Sequence, residues 1–261
     1  MSRDDLAFAH ELADAAADIA MPLFRSHGLR IDRKTDATFV TEADLDVEAM
    51  VRDRIRTRYP SDRVLGEEEG GSHDPGGRVW IIDPIDATAN FARGVPVWGT
   101  LIALYVDGRG VAGVANAPAL GERYDAVRGG GATMNGDQIL VSDVDRIGDA
   151  HVLHAELKNL LGERYEEALR GLVRDSWRDR GFGDFWAHML VARGAADVML
   201  EPSLAIWDYA APKVIVEEAG GRMTTFDGDD VHHGSTVVTT NGALHDEVTS
   251  RLRKSGKKMP T

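Results

Sequence analysis

The sequence predicts a protein of mixed helix and strand, of the α+β or α/β class. Apolar residues at helical spacing occupy the start of the chain, short apolar runs separated by turn residues occupy its middle, and strand and helix patterns alternate from about residue 150. We expect an N-terminal α+β half, 1–148, and a C-terminal α/β half, 149–261. Because no repeat or flexible linker separates them, the halves should be tightly joined as one unit.

The N-terminal segment predicts two helices. The first runs from position 4 or 5 to about position 27, where Gly28 would end it. A short strand and a turn follow over 29–40. Thr41-Glu42-Ala43-Asp44 has the form of a capping box with Asp in place of Glu, so a second helix begins there and ends before Pro60.

A large antiparallel sheet is predicted for the rest of the first half. Apolar runs alternate with turn residues, and Asp107-Gly108 is typical of a hairpin turn. The predicted strands are 64–65, 79–82, 97–106, 110–116, 124–127 and 132–140.

The second half predicts an α/β layer, because strand and helix patterns alternate along it. The predicted strands are 151–155, 197–200, 222–226 and 235–239. The predicted helices are 165–173, 185–193, 207–219 and 245–253.

Composition excludes several classes of function. Among 261 residues, 43 acidic and 30 basic side chains give a formal net charge of −13, which argues against nucleic-acid binding. The absence of cysteine excludes disulfides, zinc–thiolate sites and thiol catalysis. No apolar run approaches the ~20 residues of a membrane span, and the polar first residues carry no apolar signal region. We therefore expect a cytoplasmic protein that binds neither nucleic acid nor membrane.

The most informative stretch is W-I-I-D-P-I-D-A-T-A-N-F at 80–91. An apolar run that ends in Asp83 and Asp86 is typical of a buried strand that delivers carboxylates to a cleft. Two carboxylates held this close repel each other unless a cation lies between them, so the pattern predicts a divalent metal site. Residues 87–90 predict the first turn of a helix, whose free amides favour an anion. A metal beside an anion indicates phosphate chemistry.

Further acidic residues stand at element ends. Asp44 opens a helix, Glu67 and Glu68 follow a short apolar strand, and Asp208 opens a later helix. Each also has an ordinary interpretation: a helix cap, a solvated turn, or an acid that complements the helix dipole. Considered together, carboxylates in a chain without cysteine favour Mg²⁺, and two or three such ions could bind phosphate oxygens and orient a water.

These motifs resemble the inositol monophosphatase family in order and spacing. The resemblance rests on G-E-E at 66–68, D-P-I-D-A-T-A-N-F at 83–91, W-D-Y-A-A at 207–211 and E-A-G-G at 218–221, and it covers nearly the whole chain. Counting 207–211 together with 218–221 as one motif, three separated motifs that match jointly are far more specific than any one alone. The resemblance implies a layered α-β-α-β-α sandwich of the sugar-phosphatase type, a Mg²⁺-dependent phosphomonoesterase acting on a small phosphate ester, and a homodimer.

The resemblance also implies roles for individual residues. Thr88, together with Glu67 and Asp44, would orient an attacking water, and the amides of Ala87 and Thr88 would hold the phosphate. Water would attack directly, without a covalent phosphoenzyme. The metal ligands would be Glu67, Asp83, the backbone carbonyl of Ile85, Asp86 and Asp208.

Two positions depart from the family pattern. Ala87 stands where the family nearly always has glycine, and Ala89 stands where many members carry Lys or Thr. The amide at position 87 survives the change, but a methyl group could crowd the phosphate, or cost energy if the backbone there needs a positive φ. We interpret the change as tolerated. The alternatives are a shifted substrate, weakened catalysis, or a regulatory homologue that binds metal and phosphate without turnover.

Within the family, the chain resembles the actinobacterial histidinol-phosphate phosphatase branch. Glu201 matches a position that contacts the non-phosphate end of the substrate, and a carboxylate there suits the ammonium and imidazolium of L-histidinol phosphate. Asp184, Asn90 and Arg93 are further candidates for substrate contact. Glu201 and Asp184 also have an ordinary interpretation as exposed helix-cap residues. Inositol-1-phosphate, or a related cyclitol or sugar phosphate, is the alternative substrate.

Overall fold

The structure is a computed structural model that describes residues 3–34, 38–72, 74–161 and 164–255. The chain forms two compact units. The first comprises Met1–Asp137 with Trp207–Ile215, and the second comprises Gln138–Ile206 with Val216–Thr261. The segment that carries Asp208 therefore belongs to the first unit, with the other acidic motifs. The predicted division at 148 and the tight joining of the two halves stay predictions.

The first unit begins with two long helices. Helix α1 ends at Leu23 rather than near position 27, because Arg25 adopts a left-handed backbone, with φ 62°, that terminates a helix. Between the helices, two short strands pair antiparallel, and part of the predicted turn, 35–37, lies outside the described residues. The elements of this part are α1 Arg3–Leu23, β1 Ile31–Arg33, β2 Phe39–Thr41 and α2 Glu42–Arg58.

A seven-stranded sheet follows, in the order β3-β4-β5-β6-β7-β8-β9. The first pair, β3 with β4, is parallel, and the pairs from β4 to β8 are antiparallel. The strands are β3 Arg63–Gly66, β4 Arg78–Asp86, β5 Gly99–Val106, β6 Arg109–Ala117, β7 Glu122–Val127, β8 Gly131–Met134 and β9 Asp137–Ile139, with helix α3 Thr88–Ala92 after β4.

Strand β4 continues past the predicted strand, through both aspartates. Asp83 pairs with Leu101 and Asp86 pairs with Gly99 on β5, and the register shifts between these pairs. Residues three apart on a regular strand point to opposite faces of the sheet, and a register shift removes that constraint. Pro84, which has no N–H to donate, lies inside the irregular part. The shift therefore allows both carboxylates to reach one site.

The core of the first unit is formed by apolar faces of α1 and α2 and the side chains of the sheet. Aromatic rings pack edge to face within it, with centroids of Phe8 and Trp80 5.7 Å apart. Full burial of such side chains stabilises the fold by roughly 1.5–3 kcal/mol each. Buried members include Phe8, Leu12, Val47, Val51, Ile55, Trp80, Ile82, Ile102 and Leu104.

The second unit contains a five-stranded sheet in the order β11-β10-β12-β14-β13. Strand β10 is parallel to β11 and β12, and β14 is antiparallel to β12 and β13. Its strands are β10 His151–His154, β11 Arg178–Arg180, β12 Val198–Leu204, β13 Arg222–Thr224 and β14 Ser235–Thr240. Its helices are α4 Leu157–Leu160, α5 Glu166–Asp175, α6 Asp184–Ala192 and α8 His245–Ser255. Helix α7, Ile206–Glu218, carries residues of both units.

A strand and an α-helix of the second unit were not predicted. Strand β11 has the sequence R-D-R, which shows no alternation of apolar and polar residues because it is an edge strand. Helix α4 has only four residues, too few to show a helical period. Among the described residues, no helix has the length and apolar character that crossing a membrane requires.

Candidate active site

Three aspartates from two separate elements of the first unit come together. One carboxylate oxygen from each of Asp83, Asp86 and Asp208 lies within 4.8 Å of the others. Asp83 and Asp86 are delivered by the end of β4, and Asp208 lies in the first turn of α7. We call these three residues the aspartate cluster. Asp83 is 1% exposed and Asp86 is 7% exposed, so two of the carboxylates are almost fully removed from water.

The charges of the aspartate cluster oppose one another. Burial raises the pKa of Asp83 well above its ordinary value, and the carboxylates of Glu67, Asp86, Asp208 and Asp44 raise it further. Oxygen Oδ1 of Asp83 is buried and has no hydrogen-bond partner. A buried carboxylate oxygen without a partner is unfavourable by itself and suits a hard divalent cation, which prefers carboxylate ligands. The residues present therefore fit a metal ion.

Glu67 lies in the turn that follows β3. Its amide donates to the carbonyl of Ile82, the residue before Asp83, at 3.3 Å. Nζ of Lys34 contacts Oε1 of Glu67 at 2.6 Å and Oε1 of Glu68 at 2.7 Å. Burial alone would lower the pKa of Lys34, but its hydrogen bonds to the two glutamates raise the pKa above its ordinary value. The structure thus places Glu67 beside the aspartate cluster, paired with a lysine that the sequence analysis did not identify.

Asp44 and Thr88 contact each other directly. Oγ1 of Thr88 lies 3.1 Å from Oδ1 of Asp44 and 2.9 Å from the carbonyl oxygen of Ile85. Oδ2 of Asp44 accepts hydrogen bonds from the amide of Thr41, at 2.8 Å, and from its hydroxyl, at 2.6 Å. The predicted capping box at the start of α2 is confirmed. Burial raises the pKa of Asp44 to about 6, although its hydrogen bonds to Thr41 and Thr88 act in the opposite direction.

Ala87 adopts a left-handed backbone at the start of α3, with φ 64° and ψ 46°. Its carbonyl accepts hydrogen bonds from the amides of Asn90 and Phe91 at 2.9 and 3.1 Å, which closes the first turn. A left-handed conformation costs an L-residue roughly 1–2 kcal/mol, and glycine escapes most of that cost. The position therefore needs a positive φ, and alanine occupies it under strain.

The four predicted substrate contacts fall in different units. In the first unit, Nδ2 of Asn90 donates to the carbonyl of Val97 at 2.8 Å, and Arg93 is exposed. In the second unit, Asp184 is exposed, begins α6 and has a φ of 57°, whereas Glu201 lies on β12 and is 8% exposed. The substrate-contact roles of these four residues stay predictions.

Two charged residues of α2 were missed. Glu48 and Arg52 are 0% and 5% exposed, and Glu48 accepts hydrogen bonds from the amides of Glu68 and Glu69. Their spacing was visible in the sequence, because Asp44, Glu48 and Arg52 recur at intervals of four and so share one face of a helix, but spacing alone does not show that this face is buried. The prediction of the buried face of α2 used its apolar residues alone.

Comparisons with known proteins show which family this chain resembles. The model of the inositol monophosphatase family matches residues 2–257. The histidinol-phosphatase of Mycobacterium tuberculosis is 47% identical over 97% of this chain and 99% of its own length. The histidinol-phosphatase of Streptomyces coelicolor is 41% identical over 96% of this chain and 97% of its own length.

A solved structure supports the fold. An inositol monophosphatase from Zymomonas mobilis superposes with a TM-score of 0.84 and 32% identity, over 97% of this chain and 100% of that one. The predicted layered α/β sandwich of the sugar-phosphatase type is thereby confirmed.

Proposed function

The chain belongs to the inositol monophosphatase family and is a phosphoric monoester hydrolase, and we propose that it hydrolyses L-histidinol phosphate to L-histidinol and phosphate, with Mg²⁺ as its cofactor. The observation that carries the substrate is the name shared by the relatives from M. tuberculosis and S. coelicolor, both histidinol-phosphatases at more than 40% identity. We also propose that the protein is a cytoplasmic homodimer.

The aspartate cluster would hold the metal. Carboxylates of Asp83, Asp86 and Asp208 supply hard oxygen ligands, and the partnerless Oδ1 of Asp83 needs a cation. Glu67 and the carbonyl of Ile85 would complete the ligand set for two or three ions. When bound, Mg²⁺ supplies charge for the phosphate oxygens and lowers the pKa of a water.

Thr88 and Asp44 would orient the attacking water and take its proton. The Thr88 hydroxyl can donate to Oδ1 of Asp44 and can then accept a hydrogen bond from a water at its own oxygen. Because burial raises the pKa of Asp44 to about 6, its carboxylate is basic enough to hold a proton transiently near neutral pH. Glu67 would assist in positioning the same water.

The start of α3 would hold the phosphate. The first amides of a helix have no acceptor within it and favour an anion. Those amides belong to Ala87 and Thr88, directly after Asp86 of the aspartate cluster. The left-handed backbone at Ala87 gives this turn its shape, so the strain at that position serves the proposed phosphate contact.

The other end of the substrate would meet polar side chains. Glu201 would pair with the ammonium or imidazolium of histidinol phosphate, and Asp184 would add a second negative charge. Asn90 and Arg93 are the proposed substrate contacts that belong to the first unit. A neutral polyol would gain hydrogen bonds from these groups but no ion pair.

Inositol-1-phosphate or a related cyclitol phosphate is a second candidate. The observation that favours it is the similarity of the fold to the solved inositol monophosphatase from Z. mobilis. The experiment compares kcat/KM for histidinol phosphate and inositol-1-phosphate at the same Mg²⁺ concentration. Adenosine 3′,5′-bisphosphate is included as a nucleotide substrate, which we expect to be poor. We expect histidinol phosphate to be preferred at least about tenfold, which corresponds to about 1.4 kcal/mol. A tenfold preference for inositol-1-phosphate would reverse the assignment.

A further inference from the structure

A buried charged stripe runs along α2. Asp44, Glu48 and Arg52 stand about one helical turn apart, and they are 0%, 0% and 5% exposed. Residues four apart lie on the same face of a helix, so the three side chains form one continuous line. Two carboxylates and a guanidinium are costly to bury unless each has defined partners. Their partners therefore show what the stripe does.

Both carboxylate oxygens of Glu48 are hydrogen-bonded to the turn after β3. Oε2 accepts from the amide of Glu68 at 2.8 Å, and Oε1 accepts from the amide of Glu69 at 2.9 Å. Consecutive amides converge on one anion only in particular turn conformations. The buried carboxylate of Glu48 therefore selects the conformation of the turn that contains Glu67.

Arg52 completes this arrangement. Its Nε donates to Oε1 of Glu48 at 2.8 Å, and its Nη2 lies 2.7 Å from the same oxygen. Nη2 also donates to the carbonyl of Gly70, which closes the far end of the turn. Arg52 thus compensates the buried charge of Glu48 and binds the backbone beyond it, so the turn is held at both ends by adjacent positions of one helix.

Gly66 makes room for the Glu48 carboxylate. A Cβ at position 66 would lie 2.4 Å from Oε1 and 2.5 Å from Cδ of Glu48, closer than carbon atoms approach without displacement. Gly66 is a residue of strand β3 and is not among those with a positive φ. Glycine is therefore required here for the close approach of a side chain, and not for backbone freedom.

We propose that Glu48 is a positioning residue for the metal site, which holds the turn after β3 so that Glu67 points toward the aspartate cluster. Glu48 acts through the amides of Glu68 and Glu69 and binds neither metal nor substrate. One turn earlier on the same stripe, Asp44 contacts Thr88. Helix α2 thereby sets the relative placement of the two motifs that the proposed function requires. The inference rests on that proposed metal-dependent function.

The test uses Mg²⁺ binding, measured without substrate. Thermal unfolding of the full chain is followed as a function of Mg²⁺ concentration, and the concentration that gives half of the stabilisation is compared between variants. In Glu48→Gln, one carboxylate oxygen is replaced by an NH₂ group, which cannot accept a hydrogen bond from the amide of Glu68 or Glu69. We expect the half-stabilising concentration to rise by about 10- to 100-fold, the range typical for residues that support metal ligands. KM for the phosphate ester at saturating Mg²⁺ should change less than threefold.

Gly66→Ala provides an independent variant, because it keeps both charges and displaces the carboxylate only through a methyl group. We expect it to weaken Mg²⁺ binding in the same direction. In a Glu48→Ala background, the methyl at position 66 has no carboxylate to meet, so adding Gly66→Ala should weaken binding no further. Equal effects of Gly66→Ala in both backgrounds would contradict the proposed contact.

Asp62→Asn is the matched control for general destabilisation. Asp62 precedes β3, at the opposite end from Glu67, and its carboxylate accepts hydrogen bonds from Arg78 and Trp80 at 2.9 Å. Its loss should lower the melting temperature and leave the half-stabilising Mg²⁺ concentration within twofold of the unaltered protein. If Glu48→Gln behaves like this control, Glu48 is merely structural. If the unaltered protein itself shows no stabilisation by Mg²⁺, the proposed metal dependence fails first.

Discussion

The hydroxyl of Thr88 lies 3.1 Å from Oδ1 of Asp44, so the turn that follows the aspartate-bearing strand is joined to the first turn of α2. The other oxygen of Asp44 is held by the amide and hydroxyl of Thr41, which fixes the carboxylate from the opposite side. The Thr88 hydroxyl can donate its proton either to Oδ1 of Asp44 or to the carbonyl of Ile85, which lies 2.9 Å away, and its oxygen can accept a hydrogen bond from a water. We propose Thr88 and Asp44 as the pair that takes the proton of the attacking water.

Removing the Thr88 hydroxyl should impair turnover more than binding. In Thr88→Val the side chain keeps its shape but loses the oxygen, so we expect kcat to fall by about 10²-fold or more, as for loss of a proton-transfer group, with KM within threefold. Steady-state phosphate release measures both constants. Thr88→Ser retains the hydroxyl and should keep at least a tenth of the activity. Equal losses in the two variants would show that Thr88 acts only through packing.

Relief of strain at Ala87 should stabilise the protein. Glycine removes the left-handed penalty of roughly 1–2 kcal/mol and adds about 0.5–1 kcal/mol of backbone entropy cost, so we expect Ala87→Gly to raise the free energy of unfolding by up to about 1.5 kcal/mol. Denaturant unfolding at fixed Mg²⁺ measures this difference.

Ala89→Gly is the matched control, since Ala89 lies two residues later in the helical part of α3. Glycine there should lower the free energy of unfolding by about 1 kcal/mol. The interpretation of Ala87 is wrong if both variants destabilise by the same amount. A large gain in turnover in Ala87→Gly, with unchanged Mg²⁺ dependence, would show that the methyl group hinders catalysis.

Buried His188 should make stability fall in mild acid. Its side chain is 1% exposed, its Nδ1 lies 2.8 Å from Oγ1 of Thr239, and burial lowers its pKa from 6.5 to about 4. As the pH falls, His188 of the unfolded chain is protonated near pH 6.5, whereas His188 of the folded chain stays neutral until about pH 4. The free energy of unfolding is therefore highest above pH 6.5 and decreases as the pH falls toward 4. The free energy of unfolding should drop by about 2 kcal/mol between pH 7 and pH 5 from this group.

The comparison for His188 is His188→Gln, which can still bond Thr239 but does not titrate. Carboxylates contribute equally to both proteins, so the difference between their pH profiles isolates the histidine. We expect the variant to lose about 2 kcal/mol less over the same interval. Parallel profiles would show that His188 is not held neutral by burial.

The acidic residues of the candidate site could be predicted from the sequence, but the backbone irregularity and the buried charges that position them could not. Asp83 and Asp86 were recognisable because an apolar run leads into them, and Asp208 because its motif completes a family pattern. The register shift on β4 was not predictable, since it depends on pairing with β5 rather than on local sequence. Likewise, charges such as Glu48 and Arg52 on a helix usually face solvent, and only tertiary contacts show that these do not.

Backbone conformation defines a second limit. The sequence raised the question whether position 87 needs a positive φ, and the structure answers it with a φ of 64°. The early end of α1 was also not predictable, because the residue with the left-handed backbone there is Arg25, and not the glycine or asparagine that usually indicates this conformation. Local sequence thus identified where elements lie and underestimated where an ordinary residue is held in an uncommon conformation.

Asp83→Asn tests the central claim most directly, because Asp83 is the buried centre of the aspartate cluster. Phosphate release from histidinol phosphate is measured across a Mg²⁺ titration, beside the exposed α2 variant Asp53→Asn as control. We predict Mg²⁺-dependent phosphate release by the unaltered protein and by the control, and release by Asp83→Asn that is lower by at least about 10³-fold. Without Mg²⁺, the melting temperature of Asp83→Asn should be no lower than that of the unaltered protein, because the substitution removes one of the carboxylates that repel each other. Release that is independent of Mg²⁺, or that survives in Asp83→Asn, would contradict the account.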